Sequence, residues 1–234
     1  MTDLDGARVL VTGASGGLGS LLAAGMAERG AAVALSARDE ERLRALDVDA
    51  AARLPADLRQ PGAPEALVGA AVDALGGLDV LVHAAGVVAF GPAAEVDDDL
   101  VDELLLLHYL APVRLLRAAL PHLRASASER GGSVAVMLSA VVAEQPVAGM
   151  AAYSAAKAAL TAFDAAVAKE LRRDRVRVLD VRPPHTETGL ATRPVAGEAP
   201  KLPTGLEPQA VADRVLRAVV EDEKDLPSSA FGSR

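Results

Sequence analysis

The stretch Leu10–Arg38, "LVTGASGGLGSLLAAGMAERGAAVALSAR", decides the fold. It continues an apolar run, "ARVLVTG" from Ala7 to Gly13, of the length and composition of a buried strand. Gly13, Gly16, Gly17 and Gly19 then crowd one short turn. "LGSLLAAGMAERG" follows with apolar residues at helical spacing and stops at Gly30. A second apolar run, "AAVALSAR", reads as the next strand. A strand that ends at glycine and opens a helix suits a phosphate: glycine permits the tight turn and close approach, and the helix start offers free N–H groups. A tight connection without a ligand uses the same letters, so the rest of the chain must decide between the two.

The rest alternates in the same way. "DEERLRAL" is a helix with acids in its first turn, "ALVGAAVDALGG" a helix, and "LDVLVHAAG" a buried strand. "VDDDLVDELLLLHYLAPVRLLRAALPHLRA" is a long helix that must bend at Pro112. "GGSVAVMLSA" is a strand, "MAAYSAAKAALTAFDAAVAKELRR" a long helix, "RVRVLDV" a strand, and Glu207 to Glu221 a last helix. Strand and helix in turn predict an α/β protein: a single Rossmann-type doubly wound parallel sheet with helices on both faces, in one domain over residues 1–234. The loop from His185 to Leu206, rich in Pro, Gly and Thr, is long enough to be a lid over a site. Residues 225–234 read as an edge strand or a tail.

Composition narrows the function. The 234 residues carry a formal net charge of -8 and no Lys/Arg block, which excludes a nucleic-acid partner. With no cysteine there is no disulfide and no thiol catalysis. The first residues carry acids rather than an apolar core, and no run of about 18 apolar residues occurs, so no leader and no membrane partner are expected. A soluble cytoplasmic protein is the default reading. There is no Trp and there are only two Tyr, so each Tyr calls for an explanation.

Two further features carry chemistry. The second strand ends in Ala37 and Arg38, with no acid before Asp39. In a dinucleotide-binding sheet this tip meets the adenosine ribose; an acid there suits the 2′-hydroxyl of NAD, and an arginine the 2′-phosphate of NADP. Arg38 therefore favours NADP(H) over NAD(H). Next, "AAYSAAKAAL" sets Tyr153 and Lys157 four apart on one helix face. A phenol titrates near pH ~10, and a neighbouring ammonium lowers that value. Tyr153 can then exchange a proton with a carbonyl or alcohol oxygen. A core tyrosine beside a solvated lysine has the same spacing.

Together these pieces resemble the short-chain dehydrogenase/reductase family. "TGASGGLG" (Thr12 to Gly19) is similar to its T-G-x-x-x-G-x-G turn, "YSAAK" to Y-x-x-x-K, "HAAG" (His83 to Gly86) to N-N-A-G, and "RPPHTET" (Arg182 to Thr188) to the P-G segment and its later Thr. The resemblance implies cofactor contacts at Gly13, Ser15, Gly17, Leu18, Gly19, Arg38, Asp57, Leu58, Ala84, Ala85, Gly86, Tyr153, Lys157, Pro183, Thr186 and Thr188. It implies Tyr153 as acid/base, and Lys157 as its tuner and the ribose ligand. The family's serine, 13 positions before the tyrosine, is Ala140 here, so the neighbouring Ser139 is expected to orient the substrate oxygen if the strand end twists. His108 stands where the family has an asparagine of a proton relay; it is either a relay or a buried structural histidine. Pro184 replaces the usual glycine.

The reading is an NADP(H)-dependent oxidoreductase acting on a small-molecule carbonyl or secondary alcohol. It is a homodimer or homotetramer, by resemblance, through the long helices around Leu100–Leu123 and Met150–Leu171. The alternative is a catalytically impaired NADP-binding sensor or scaffold, motivated by Ala140, His108 and Pro184.

Overall fold

The computed structural model describes residues 2–232. Seven strands form one parallel sheet: β1 (Arg8–Thr12), β2 (Ala32–Ser36), β3 (Ala52–Arg53), β4 (Val80–His83), β5 (Ser133–Leu138), β6 (Val176–Val181) and β7 (Asp225–Leu226). Their order across the sheet is β3-β2-β1-β4-β5-β6-β7. The order reverses direction between β1 and β4, which pair with Val9 opposite Val80 and Thr12 opposite His83. Such a switch point opens a crevice at the C-terminal ends of the strands, where ligands of this architecture bind.

The strands read as continuous apolar runs because both faces are covered. Their alternation sorts side chains into two cores. Val9 and Val11 of β1 join Val80, Val82, Val134 and Val136 on one face, while Leu10 joins Leu81, Ala135 and Met137 on the other. The first face packs against α1 (Gly17–Ala27) and α7 (Pro208–Val220), the second against α3 (Ala63–Leu75), α5 (Ala111–Arg130) and α6 (Ala151–Glu170). A short α2 (Glu40–Arg44) follows β2, capped by Asp39, whose side chain accepts from the Arg42 N–H.

The long helix expected around Pro112 is in two parts. α4 (Asp98–Leu105) leads through a π turn at 106–110 into α5. Proline has no N–H to continue the regular ladder, and the wider turn, in which the Ala111 N–H reaches the Leu106 carbonyl, takes up the mismatch. The combined helix is long and apolar enough to cross a membrane by those measures alone, against the sequence expectation. Here Leu115, Leu116, Ala119 and Leu123 are buried in the second core. Residues 225–226 are an edge strand pairing with β6, followed by a single turn at 228–231; 233–234 lie outside the described residues. The two-residue β3 was not expected, being too short to show a period.

Candidate active site

The glycine turn lies at the end of β1. Gly13 has φ +71°, and a Cβ there would stand 2.4 Å from the Ala85 nitrogen. A Cβ on Gly19 would stand 2.2 Å from the Gly13 carbonyl oxygen. Neither position admits a side chain, so the turn is held close to Ala84 and Ala85 beyond β4. The residue before α1 is Gly16, which supplies no capping side chain. The first N–H groups of α1, at Gly17, Leu18 and Gly19, are thus left to an outside acceptor. The Arg42 guanidinium donates to the Ser15 carbonyl at 2.7 Å and ties α2 to this turn.

Arg38 is exposed just past the tip of β2, with no hydrogen bond or ion pair of its own among the described residues. Its charge reaches Asp57. Asp57, expected as an adenine contact, is clasped by Arg59 through Nε and Nη2 at 3.0 and 2.8 Å, which lowers its carboxyl from the ordinary value. Leu58 beside it is buried in the second core.

At the end of β4, His83 is buried and its Nδ1 hydrogen-bonds Thr12 Oγ1 at 2.9 Å, joining β4 to β1 beneath the glycine turn. Burial pushes its imidazole down to about 3, with the Lys157 charge acting in the same direction. A Cβ on Gly86 would meet His108 Cε1 at 2.9 Å and approach Lys157 Nζ to 4.0 Å, so Gly86 lets three segments converge.

α6 presents Tyr153 and Lys157 on one face, both buried. The Tyr153 hydroxyl makes no hydrogen bond among the described residues. Lys157 Nζ donates to the Leu138 carbonyl at 2.8 Å and stands 6.0 Å from the centre of the Tyr153 ring. Burial lowers Lys157 to about 8, against the opposing charges of Asp180 and Asp164. The Tyr153 phenol is raised rather than lowered, by burial. In this arrangement desolvation outweighs the ammonium, contrary to the tuning read from the spacing, and the phenol holds its proton.

The π turn carries His108 inward, edge-on to Tyr153 with ring centres 5.3 Å apart. His108 Nε2 lies 2.9 Å from the Val87 carbonyl and 3.4 Å from the Val87 nitrogen, and its Nδ1 has no hydrogen-bond partner among the described residues. Burial holds this histidine neutral.

Ser139 is not where the sequence expectation put it. Its hydroxyl donates to the Lys157 carbonyl at 3.1 Å and accepts from Thr161 Oγ1 at 3.0 Å. The strand alternation continues one residue past β5 and turns Ser139 into α6. Ala140 then packs into the small cluster around Tyr153, with Val88, Phe90 and Leu104. No twist reverses the two, and no hydroxyl from this segment stands beside the phenol.

The loop at 185–206 is fastened over this edge. The Val195 N–H donates to the Val88 carbonyl and the Phe90 N–H to the Ala196 carbonyl, each at 2.9 Å. Thr188 lies on the glycine turn, its Cβ 2.6 Å from where a Cβ of Gly17 would be. Thr186 turns back onto the Pro184 carbonyl at 2.9 Å, and the Pro183 carbonyl accepts from the Val141 N–H. An apolar recess beside Tyr153 is lined by Phe90, Val96, Leu100, Leu104 and Met150. Another recess, at Thr2, Asp79 and Arg130, lies at the N-terminal ends of the strands and contains none of these groups.

The structure thus gathers Gly13, Ala85, Gly86, His108, Tyr153, Lys157 and Thr188 at one edge. The sequence reading missed His83, Thr12 and the buried carboxyls of Asp164 and Asp180. The signal for the last two was an acid inside the apolar runs "LTAFDAAVA" and "VRVLDV".

Known proteins match the chain in sequence and in fold. A model of the short chain dehydrogenases matches residues 7–198. The ketoacyl reductase HetN of Nostoc sp. is 33% identical over 227 residues, covering 94% of this chain and 77% of its own. The solved structure of a 3-ketoacyl-(acyl-carrier-protein) reductase from Brucella melitensis, complexed with NADH, has a TM-score of 0.87 over 96% of this chain and 97% of its own; at 24% identity it speaks for the fold. A short chain dehydrogenase from Burkholderia cenocepacia, in complex with NADP, has a TM-score of 0.82 at 27% identity over 98% of each chain. By the matched model and this likeness, the chain belongs to the short-chain dehydrogenase/reductase family of oxidoreductases.

Proposed function

We propose that the protein is an NADP(H)-dependent oxidoreductase that moves hydride between nicotinamide and a carbonyl or secondary alcohol carbon. One observation carries the reading: a tyrosine hydroxyl with no hydrogen bond among the described residues, backed by a buried lysine, at the C-terminal ends of the strands where the glycine turn opens. The residues present fit the dinucleotide. The uncapped start of α1 and the bare turn at Gly13–Gly19 suit a pyrophosphate, and the unpaired Arg38 suits a 2′-phosphate. Among relatives, one was solved with NADP and another with NADH. Leu58 and the Asp57 segment would line the adenine, Ala84–Gly86 and Lys157 the ribose side, and Pro183, Thr186 and Thr188 the nicotinamide end.

The bound cofactor supplies or takes the hydride. The chain's own part is to place the substrate oxygen against Tyr153 and to move one proton there. A phenol raised by burial is a proton donor at neutral pH, which suits carbonyl reduction. The apolar recess beside Tyr153 suits an apolar substituent on the carbonyl.

Titration of cofactor fluorescence tests the assignment: NADPH binds more tightly than NADH, and Arg38→Glu reverses the order. Equal affinities overturn it. Tyr153→Phe retains cofactor binding and loses turnover; undiminished turnover removes Tyr153 from the chemistry. Ala140, which leaves no hydroxyl beside Tyr153, favours a second reading: an NADP-binding sensor or scaffold. Cofactor binding without turnover on a panel of carbonyls selects that one. A homodimer or homotetramer through the long helices is proposed with either reading, and a monomer by light scattering overturns it.

A further inference from the structure

Past Leu138 and Val181 the paired strands β5 and β6 leave the sheet, and both exits run into the Tyr153 site. Ala140, Val141 and Val142 pack around Tyr153, and the chain from Pro183 reaches the glycine turn at Thr188. Two backbone hydrogen bonds join the exits: Ser139 N–H to the Val181 carbonyl at 2.8 Å, and Val141 N–H to the Pro183 carbonyl at 3.0 Å. One buried side chain braces them further. The Arg182 guanidinium meets a different carboxylate with each of its three nitrogens. Nε reaches Glu144 at 2.5 Å, Nη1 pairs with Asp180, and Nη2 lies 2.8 Å from both carboxyl oxygens of Asp225.

Glu144 ends the turn that carries Val141 and Val142, and it is held from a second side. Its carboxylate accepts from the Ser228 hydroxyl, with the Ser228 N–H at 3.4 Å. The Leu226 carbonyl in turn accepts from the Arg182 N–H at 3.0 Å. A guanidinium carries its donors in a rigid planar fork, so three carboxylates from three segments are fixed in one relative placement. The sheet does not need this brace, because β5 and β6 already pair along six residues. The brace constrains the chain where that ladder has ended.

We propose that Arg182 and Glu144 are positioning residues: with the C-terminal segment Asp225–Ser228 they set where residues 140–142 and 183–188 stand on either side of the Tyr153 site. The inference rests on the proposed dinucleotide reading, in which Pro183, Thr186 and Thr188 serve the nicotinamide end. It makes the C-terminal segment a buttress of that end, while the adenine end, at Arg38 and Asp57, lies outside the brace.

Binding of two ligands tests this without turnover. NADPH spans both ends, whereas adenosine 2′,5′-bisphosphate has the adenine and the 2′-phosphate and no nicotinamide. Removal of Arg182 would strand three carboxylates without their shared cation, so the outer arm is varied. In Glu144→Ala the dissociation constant for NADPH rises about threefold to tenfold, the scale on which residues without ligand contact modulate affinity. The constant for the bisphosphate stays at the wild-type value, which also shows that the variant is folded. Glu144→Gln, which keeps an oxygen for Arg182, restores most of the NADPH affinity, and Ser228→Ala shifts it in the same direction as Glu144→Ala by a smaller factor. Unchanged NADPH affinity in Glu144→Ala, or an equal loss for both ligands, overturns the proposal. A wild-type chain that binds neither ligand overturns the dinucleotide reading itself, and this proposal with it.

Discussion

Tyr153 is a phenol that keeps its proton because it is buried, not one poised to lose it. The position beside it is filled by the methyl group of Ala140, while the Ser139 hydroxyl is spent inside the fold on the Lys157 carbonyl and Thr161. This predicts that Ala140→Ser, which places a hydroxyl in the Tyr153 cluster, raises kcat/KM for carbonyl reduction. Ser139→Ala, by contrast, leaves kcat/KM nearly unchanged and costs about 1 kcal/mol of stability, the usual size of a lost buried hydrogen bond. Steady-state kinetics and denaturant titration of the two variants separate the roles. That Tyr153 and Lys157 share a helix face, that Gly13 lies in the turn and that Arg38 follows the tip of β2 was legible in sequence, because each follows from local spacing. The fate of Ser139 was not, since it depended on whether the strand alternation continued past Leu138.

Among the elements, the helix from Asp98 to Arg130 and the loop at 185–206 do most to shape the site. Pro112 announced a bend, but not that the mismatch would settle into a π turn immediately before α5 and carry His108 against Tyr153. A proline fixes where a ladder bond is missing; the packing on either side decides how the helix absorbs it. The loop is strapped to residues 88–90 by backbone hydrogen bonds. The closest approach is at Gly197, with φ +69° and the Phe90 carbonyl oxygen 1.9 Å from where a Cβ would lie. Gly197→Val is therefore expected to release the strap. Limited proteolysis within 190–200 becomes faster and KM for the carbonyl rises, while cofactor affinity changes less, because Arg38 and the glycine turn lie outside the strap. Proteolysis at the wild-type rate would show that the strap tolerates the side chain.

The whole molecule carries two buried neutral histidines, His83 and His108, both held below the ordinary histidine value by desolvation. In the unfolded chain each takes up a proton below about pH 6.5. The folded state does not until far lower, for His83 about 3. The stability tied to each is complete above the unfolded value and is lost as pH falls toward the folded one. Melting temperature should thus drop between pH 7 and pH 4, and His83→Asn should flatten that slope relative to wild type. Equal slopes would mean that carboxylates account for the acid sensitivity. At this scale the sheet order places β1 beside β4, and with it Thr12 beside His83 and the glycine turn beside Ala85.

The sequence by itself determined the alternating architecture, the glycine turn, Arg38 past the tip of β2 and the tyrosine–lysine face, because each follows from local periodicity or from a residue's own stereochemistry. Only the tertiary structure decided that Ser139 faces α6, that Asp57 is clasped by Arg59, that Tyr153 is raised by burial, and that Asp164 and Asp180 are buried. Those outcomes depend on which groups from distant segments share one desolvated space, and no local pattern records that distance.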